Sequence, residues 1–134
     1  MSTSRSRTLA QILADRGIRF AYLFGSRATG TAGPQSDADI AVMPAGELGL
    51  MDRERLAAAF ANALAVPDVD LVLLDRAALE LLGRIVQEGR LIYSADEPAR
   101  VAFEVRTRSE YFDYLPTLRA LQRSYLRRVA ADGL

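Results

Sequence analysis

The sequence predicts an α/β (α+β) fold, a small sheet flanked by helices and followed by a helical C-terminal segment. Three observations carry that expectation. Apolar runs of strand length lie at Ile18 to Phe24, Ile40 to Met43 and Val69 to Leu74, each bounded by turn residues. Between the last two, Leu56, Phe60 and Leu64 recur four apart, as on one face of a helix. From Asp96 onward turn signals are scarce and apolar residues recur every three or four positions. Strands alternating with helices in this way build a sheet covered by helices.

The elements follow in order. Thr8-Leu9-Ala10-Gln11 reads as a capping box that opens a helix with Leu9, Ile12 and Leu13 inward and Gly17 past its end. The strand Ile18 to Phe24 stops at Gly25-Ser26, and a single helical turn is expected over Arg27 to Thr31. Gly30, Gly33 and Pro34 mark the rest of that loop as turn chemistry. Asp37-Ala38-Asp39 leads into the second strand, Pro44 to Leu50 forms a loop, and Asp52 to Ala65 a helix closed by Pro67. Asp75 is expected to cap a helix over Ala77 to Glu88, ended by Gly89, with Leu91 to Tyr93 as a short edge strand. The C-terminal helix is expected to break or kink at Pro116. Along it Leu115, Leu118, Leu121, Tyr125 and Val129 make an apolar stripe, and Arg119, Arg123 and Arg127 fall on another face, which reads either as a solvated cationic surface or as a surface for an acidic partner or ligand phosphates. Tyr111, Phe112 and Tyr114 suit core or interface positions. A chain of 134 residues fits one domain, with a core at about 8–94 and the helical segment at about 96–131.

Composition removes whole classes of chemistry. His and Cys are absent and all 17 basic residues are Arg, so thiol nucleophiles, disulfides, imidazole catalysis and zinc sites are excluded. What remains are carboxylates, hydroxyls, Arg, backbone groups and an external metal. The formal net charge is zero, which removes the overall field that draws a long nucleic acid to a surface, so no direct nucleic-acid binding is expected. No run approaches a membrane span and the N-terminus lacks a signal-peptide core, so a cytoplasmic location is expected.

The site is expected around Gly25 to Met43. Strand periodicity puts Asp37 and Asp39 on one face, and two carboxylates so close repel unless a cation lies between them. A hard divalent ion with oxygen ligands meets that need. Gly25 lets backbone approach a ligand, Ser26 offers a hydroxyl and an N–H, and a helix beginning there favours an anion. Gly25 to Thr31 has P-loop glycine spacing but lacks the lysine that contacts the outer phosphates, so a P-loop is not expected. A nucleoside triphosphate brings magnesium on its phosphates, and magnesium takes one or two carboxylates beside them. A third acid can bind a second ion or accept a proton from an acceptor hydroxyl. Asp70 is the candidate if the third strand lies beside the second, with Asp68 its competitor on spacing.

Gly25-Ser26, ten intervening residues, Asp37-Ala38-Asp39 and a later Val69-Asp70-Leu71 together resemble the DNA polymerase β-type nucleotidyltransferase superfamily, in particular its minimal nucleotidyltransferase branch. Tyr93 and the run from Phe103-Glu104 through Tyr111-Phe-Asp-Tyr-Leu-Pro116 to Tyr125-Leu126 resemble the MntA-type antitoxins of HEPN/MNT toxin–antitoxin pairs. The resemblance implies a nucleotidyltransferase fold with a small mixed sheet. It implies that Gly25 and Ser26 hold ATP phosphates with help from Arg27. Asp37, Asp39 and Asp70 would bind magnesium, in two ions, and Asp70 rather than Asp68 would be the third acid. It also implies a protein partner, a HEPN-type ribonuclease toxin that accepts AMP on a tyrosine and forms a hetero-oligomer with the antitoxin. Two other functions fit the same fold: a non-catalytic module that blocks a toxin by contact, and a nucleotidyltransferase acting on a small-molecule hydroxyl.

Overall fold

Thr8 opens α1, Leu9–Asp15, with both halves of the capping box in place: Thr8 Oγ1 accepts from the Gln11 amide and the Gln11 side chain accepts from the Thr8 amide. The structure, a computed structural model, describes residues 8–25, 30 and 37–132. Arg16 caps α1 and Gly17 leads directly into β1, Ile18–Phe24, the span the apolar run predicted. β2 is Ala38–Pro44, α2 is Leu50–Leu64, β3 is Val69–Leu73, α3 is Leu79–Glu88, β4 is Arg90–Ser94 and α4 is Glu97–Ala131.

The four strands form one sheet in the order β3-β2-β1-β4. β1 runs antiparallel to β2 and to β4, while β2 and β3 are parallel, so the sheet is mixed. The parallel pair follows from α2, which crosses over between the two strands. β4 is an edge strand, as its short apolar run suggested.

Alternation divides the core in two. Ile40 and Val42 of β2 and Val69 and Leu73 of β3 face a cluster with Leu13, Leu56 and Phe60 from α1 and α2. Phe20, Tyr22 and Ala41 face a second cluster with Ile85, Val86 and Phe103 from α3 and α4. The sheet is thus sandwiched. Phe20, Phe60, Leu56 and Ile85 are fully buried, each stabilising the fold by about 1.5–3 kcal/mol relative to exposure.

The elements depart from expectation in several places. α2 begins at Leu50, two residues ahead of Asp52, with Gly49 as an N-cap that makes no side-chain hydrogen bond. Asp52 lies in its first turn, where the helix dipole favours a carboxylate, and Arg16 donates to it at 2.8 Å. Pro44 belongs to β2 rather than to the loop, and Leu74 lies just beyond β3. Asp75 is not the cap of α3. The Arg76 amide turns back to the Leu73 carbonyl, Ala77 follows, and Ala78 becomes an N-cap without a side-chain bond. α4 runs unbroken through Pro116 for 35 residues, so the expected interruption does not occur. Proline frees the carbonyl of Phe112, a residue 74% exposed, and water can take the place of the lost amide there. Among the described residues no helix is long and apolar enough to cross a membrane.

Candidate functional site

One end of the sheet gathers the acids. β1 finishes at Phe24, which pairs with Asp39 at the beginning of antiparallel β2. Asp39 is in turn registered against Asp70 near the start of parallel β3. Asp39, Ala41 and Met43 alternate onto one face, and so do Asp70, Val72 and Leu74, the face whose interior holds the Phe20–Ile85–Phe103 cluster. Both carboxylates therefore stand on the same side of neighbouring strands, and Asp37 immediately precedes β2.

The electrostatics follow from that placement. Partial burial raises the Asp39 pKa above its ordinary value, with the charges of Asp70 and Asp37 adding to the effect in that order. Asp68 is absent from those causes. Its Oδ1 accepts from the Val69 amide at 2.9 Å and its carbonyl accepts from the Ala38 amide, so it serves the local turn and the start of the ladder.

Gly25 closes the corner. Its φ is 75°, in the left-handed region that glycine adopts without strain, and a Cβ there would collide with Asp39 Oδ2. The strand end thus lets backbone lie against the central carboxylate where any other residue would displace it. Ser26, Arg27 and the expected turn over Arg27 to Thr31 lie outside the described residues, apart from Gly30.

The donor set suits a hard divalent cation, because like charges on Asp39, Asp70 and Asp37 are what such an ion neutralises. Among the described residues no three acidic side chains converge into a cage able to hold an ion by themselves. Magnesium takes most of its ligands from water and substrate phosphates, so the neighbouring carboxylates Asp39 and Asp70 fit its needs.

A further set of contacts had no signal in the sequence. Tyr22, buried in β1 three residues before Gly25, donates to Glu104 Oε2 of α4 at 2.5 Å. Arg100 donates to the same carboxylate oxygen at 2.9 Å and to Glu97. Burial first, and then the Glu104 hydrogen bond, push the Tyr22 hydroxyl well above the usual tyrosine range. Helical spacing explains Arg100–Glu104, but the link to Tyr22 spans 82 positions and depends on the way α4 crosses the sheet.

The family described as "Polymerase beta, Nucleotidyltransferase" matches residues 7–98. The chain is 38% identical over 94 residues to the protein adenylyltransferase MntA of Shewanella oneidensis, an alignment covering 70% of this chain and 66%, just under two thirds, of that relative. A crystal structure of a toxin–antitoxin with AMP-PNP contains a similar chain, with TM-score 0.70 and 33% identity over 87% of this chain and 94% of that one. The structure of a tri-AMPylated Shewanella oneidensis HEPN toxin in complex with MNT antitoxin gives TM-score 0.67 and 29% identity, covering 94% of this chain and 99% of that one. The match takes in the sheet, α1 to α3 and every acid at its end, and the chain belongs to the polymerase beta nucleotidyltransferase family.

Proposed function

We propose that this protein is a magnesium-dependent protein adenylyltransferase of the antitoxin type, which moves AMP from ATP to a tyrosine of a HEPN-type ribonuclease partner and so silences it. The observation that carries the reading is Asp39, set beside Asp70 in register and against Gly25. The relatives support the choice of nucleotide and acceptor, one being known as a protein adenylyltransferase and others as complexes with AMP-PNP or an AMPylated HEPN toxin. We take residues 1–134 as one nucleotidyltransferase domain, working in the cytoplasm where ATP is abundant.

Asp37 and Asp39 are the residues that would hold magnesium, with Asp70 beside them for a second ion. The metal, when bound, neutralises phosphate charge and lowers the pKa of the acceptor hydroxyl. Gly25, Ser26 and Arg27 seat the phosphates. The tyrosine oxygen bonds to the α-phosphorus of ATP, the bond from that phosphorus to the bridging oxygen breaks, and pyrophosphate leaves. Asp70, exposed at the strand end, receives the phenolic proton.

Asp70→Asn should leave the fold and partner binding intact while lowering the transfer rate by about 10²–10⁴, the usual contribution of a positioned acid or base. Single-turnover transfer of labelled AMP measures this, and an unchanged rate would remove Asp70 from the mechanism. A module of the same fold that blocks the toxin by contact is the second reading. An Asp37→Ala, Asp39→Ala double variant that still neutralises an unmodified toxin would select it.

A further inference from the structure

β3 is the outer strand on one side of the sheet. Its inner edge pairs with β2 in unbroken parallel register. The Leu74 amide reaches the Val42 carbonyl at 2.8 Å, and the Asp68 carbonyl accepts from the Ala38 amide. Backbone groups alternate sides along a strand, so Asp68, Asp70, Val72 and Leu74 turn theirs to β2, and Val69, Leu71 and Leu73 turn theirs outward. Two of the outward groups are satisfied locally: the Val69 amide donates to Asp68 Oδ1 at 2.9 Å, and the Leu73 carbonyl accepts from the Arg76 amide. The amide and carbonyl of Leu71 and the amide of Leu73 have no hydrogen-bond partner among the described residues. Leu71, Val72 and Leu73 also lack the charges, prolines and bulges that commonly blunt a free edge. At the other side of the sheet, by contrast, the pairing of β4 with β1 carries a register shift.

This edge lies in a cationic groove. Arg53 of α2, Arg76 and Leu81 of α3 border a space of about 280 Å³ along Leu71, Val72 and Leu73, and no carboxylate lines it. Arg53 has no ion-pair partner among the described residues. Arg76 meets Glu47 at 3.4 Å, but the Glu47 side chain is 93% exposed, and so solvated a pair neutralises little.

Those features together select an occupant. Unpaired amides and carbonyls at strand spacing are met by an extended backbone, whereas a helix uses its backbone groups internally. Two guanidiniums beside them call for a carboxylate on the same segment. A second copy laid edge to edge would set equivalent arginine pairs against each other, which is unfavourable.

β3 also carries Asp70, flanked by Val69 and Leu71, whose backbone faces outward. A strand added to this edge lies about 4.8 Å from β3. Resting on the function proposed above, we infer that the outer edge of β3 takes an extended, acidic segment of the acceptor protein by strand addition, and that the continuation of this segment past Val69 brings the tyrosine beside Asp70. The edge sets acceptor affinity and the acids carry out the transfer.

The test reads binding and transfer separately, with the purified HEPN-type partner as probe. In hydrogen exchange followed by NMR, the Leu71 amide of the chain alone should exchange fast, and saturating partner should slow it at least about tenfold. Arg53→Glu and Arg76→Glu together should raise KM for the partner at least about tenfold and leave kcat within about twofold. Modification of tyrosine amide supplied in excess should not change, because that acceptor has no segment to dock. Leu71→Pro removes an outward amide that the ladder to β2 does not use, and should cause the same loss of affinity. A thermal melt checks its fold, and the arginine variant decides the matter if Leu71→Pro does not fold. A partner that does not bind, that binds without slowing Leu71 exchange, or that keeps its KM with the arginine variant overturns the strand-addition site. Leu71 protection in the chain alone that grows with its concentration would put a second copy on the edge, and overturns it as well. If the partner protects Leu71 yet no acceptor gains AMP, the docking site stands and the proposed activity fails.

Discussion

Asp39 bears the main conflict between stability and function. Its raised pKa means that the folded, metal-free protein holds the protonated form more readily than the unfolded chain does. The sign follows: this contribution to stability is fully present below the unfolded Asp pKa of about 3.9 and is lost as pH rises through the higher folded value. Asp39→Asn should therefore raise the melting temperature of the metal-free protein by roughly 2–4 °C at neutral pH, with the advantage vanishing in acid. Magnesium with a non-hydrolysable ATP analogue should reverse the order by stabilising only the native chain. Thermal melts over pH 3–8, with and without ligand, check each part, and a variant that melts lower at neutral pH without metal would contradict the account. Gly25 is constrained for a related reason. Gly25→Ala forces a Cβ into Asp39 at a φ of 75°, and should cost about 1–3 kcal/mol in chemical denaturation while reducing transfer.

At the scale of elements, the join between α4 and the sheet controls the geometry. Tyr22→Phe keeps the buried ring and its contacts with Phe20 and Phe103 but removes the donor to Glu104, for a loss of about 1 kcal/mol. Because the native Tyr22 pKa is raised, its contribution is present below the ordinary tyrosine pKa of about 10 and fades as pH climbs through the folded value. The variant should accordingly show a flatter loss of stability in alkali. Gly83→Ala should cost about 1–3 kcal/mol, because the Cβ meets the body of the Tyr111 ring rather than a yielding side-chain tip.

These elements also show how far the sequence could be read. β1 and the capping box of α1 were legible because their signals are local: an apolar run with its stop, and paired caps. The acids at the head of β2 and β3 were legible because strand alternation fixes their face once the strands are neighbours. Asp75 misled because a carboxylate before a helix can belong to a turn, and the Leu73–Arg76 hydrogen bond used the residues that capping needed. Pro116 does not interrupt α4, because an exposed helix can surrender one hydrogen bond to water. Tyr22–Glu104 and Gly83–Tyr111 were invisible, since both depend on where α4 lies across the sheet.

Across the whole molecule, charge is placed unevenly. Carboxylates and a glycine corner occupy one end, while a half-anchored helix carries arginines and apolar side chains away from the other. Zero net charge for the chain hides this polarity, because the cationic arm is offset by carboxylates elsewhere. On the proposed function, the Asp37–Asp39–Asp70 end performs AMP transfer to a partner tyrosine. Intact-mass spectrometry of the HEPN-type partner, after incubation with this chain, ATP and magnesium, tests it most directly. The partner should gain whole AMP increments with the native chain and none with Asp39→Asn, and the increments should map to tyrosine. A partner of unchanged mass with the active native chain, or equal modification by Asp39→Asn, would contradict the account.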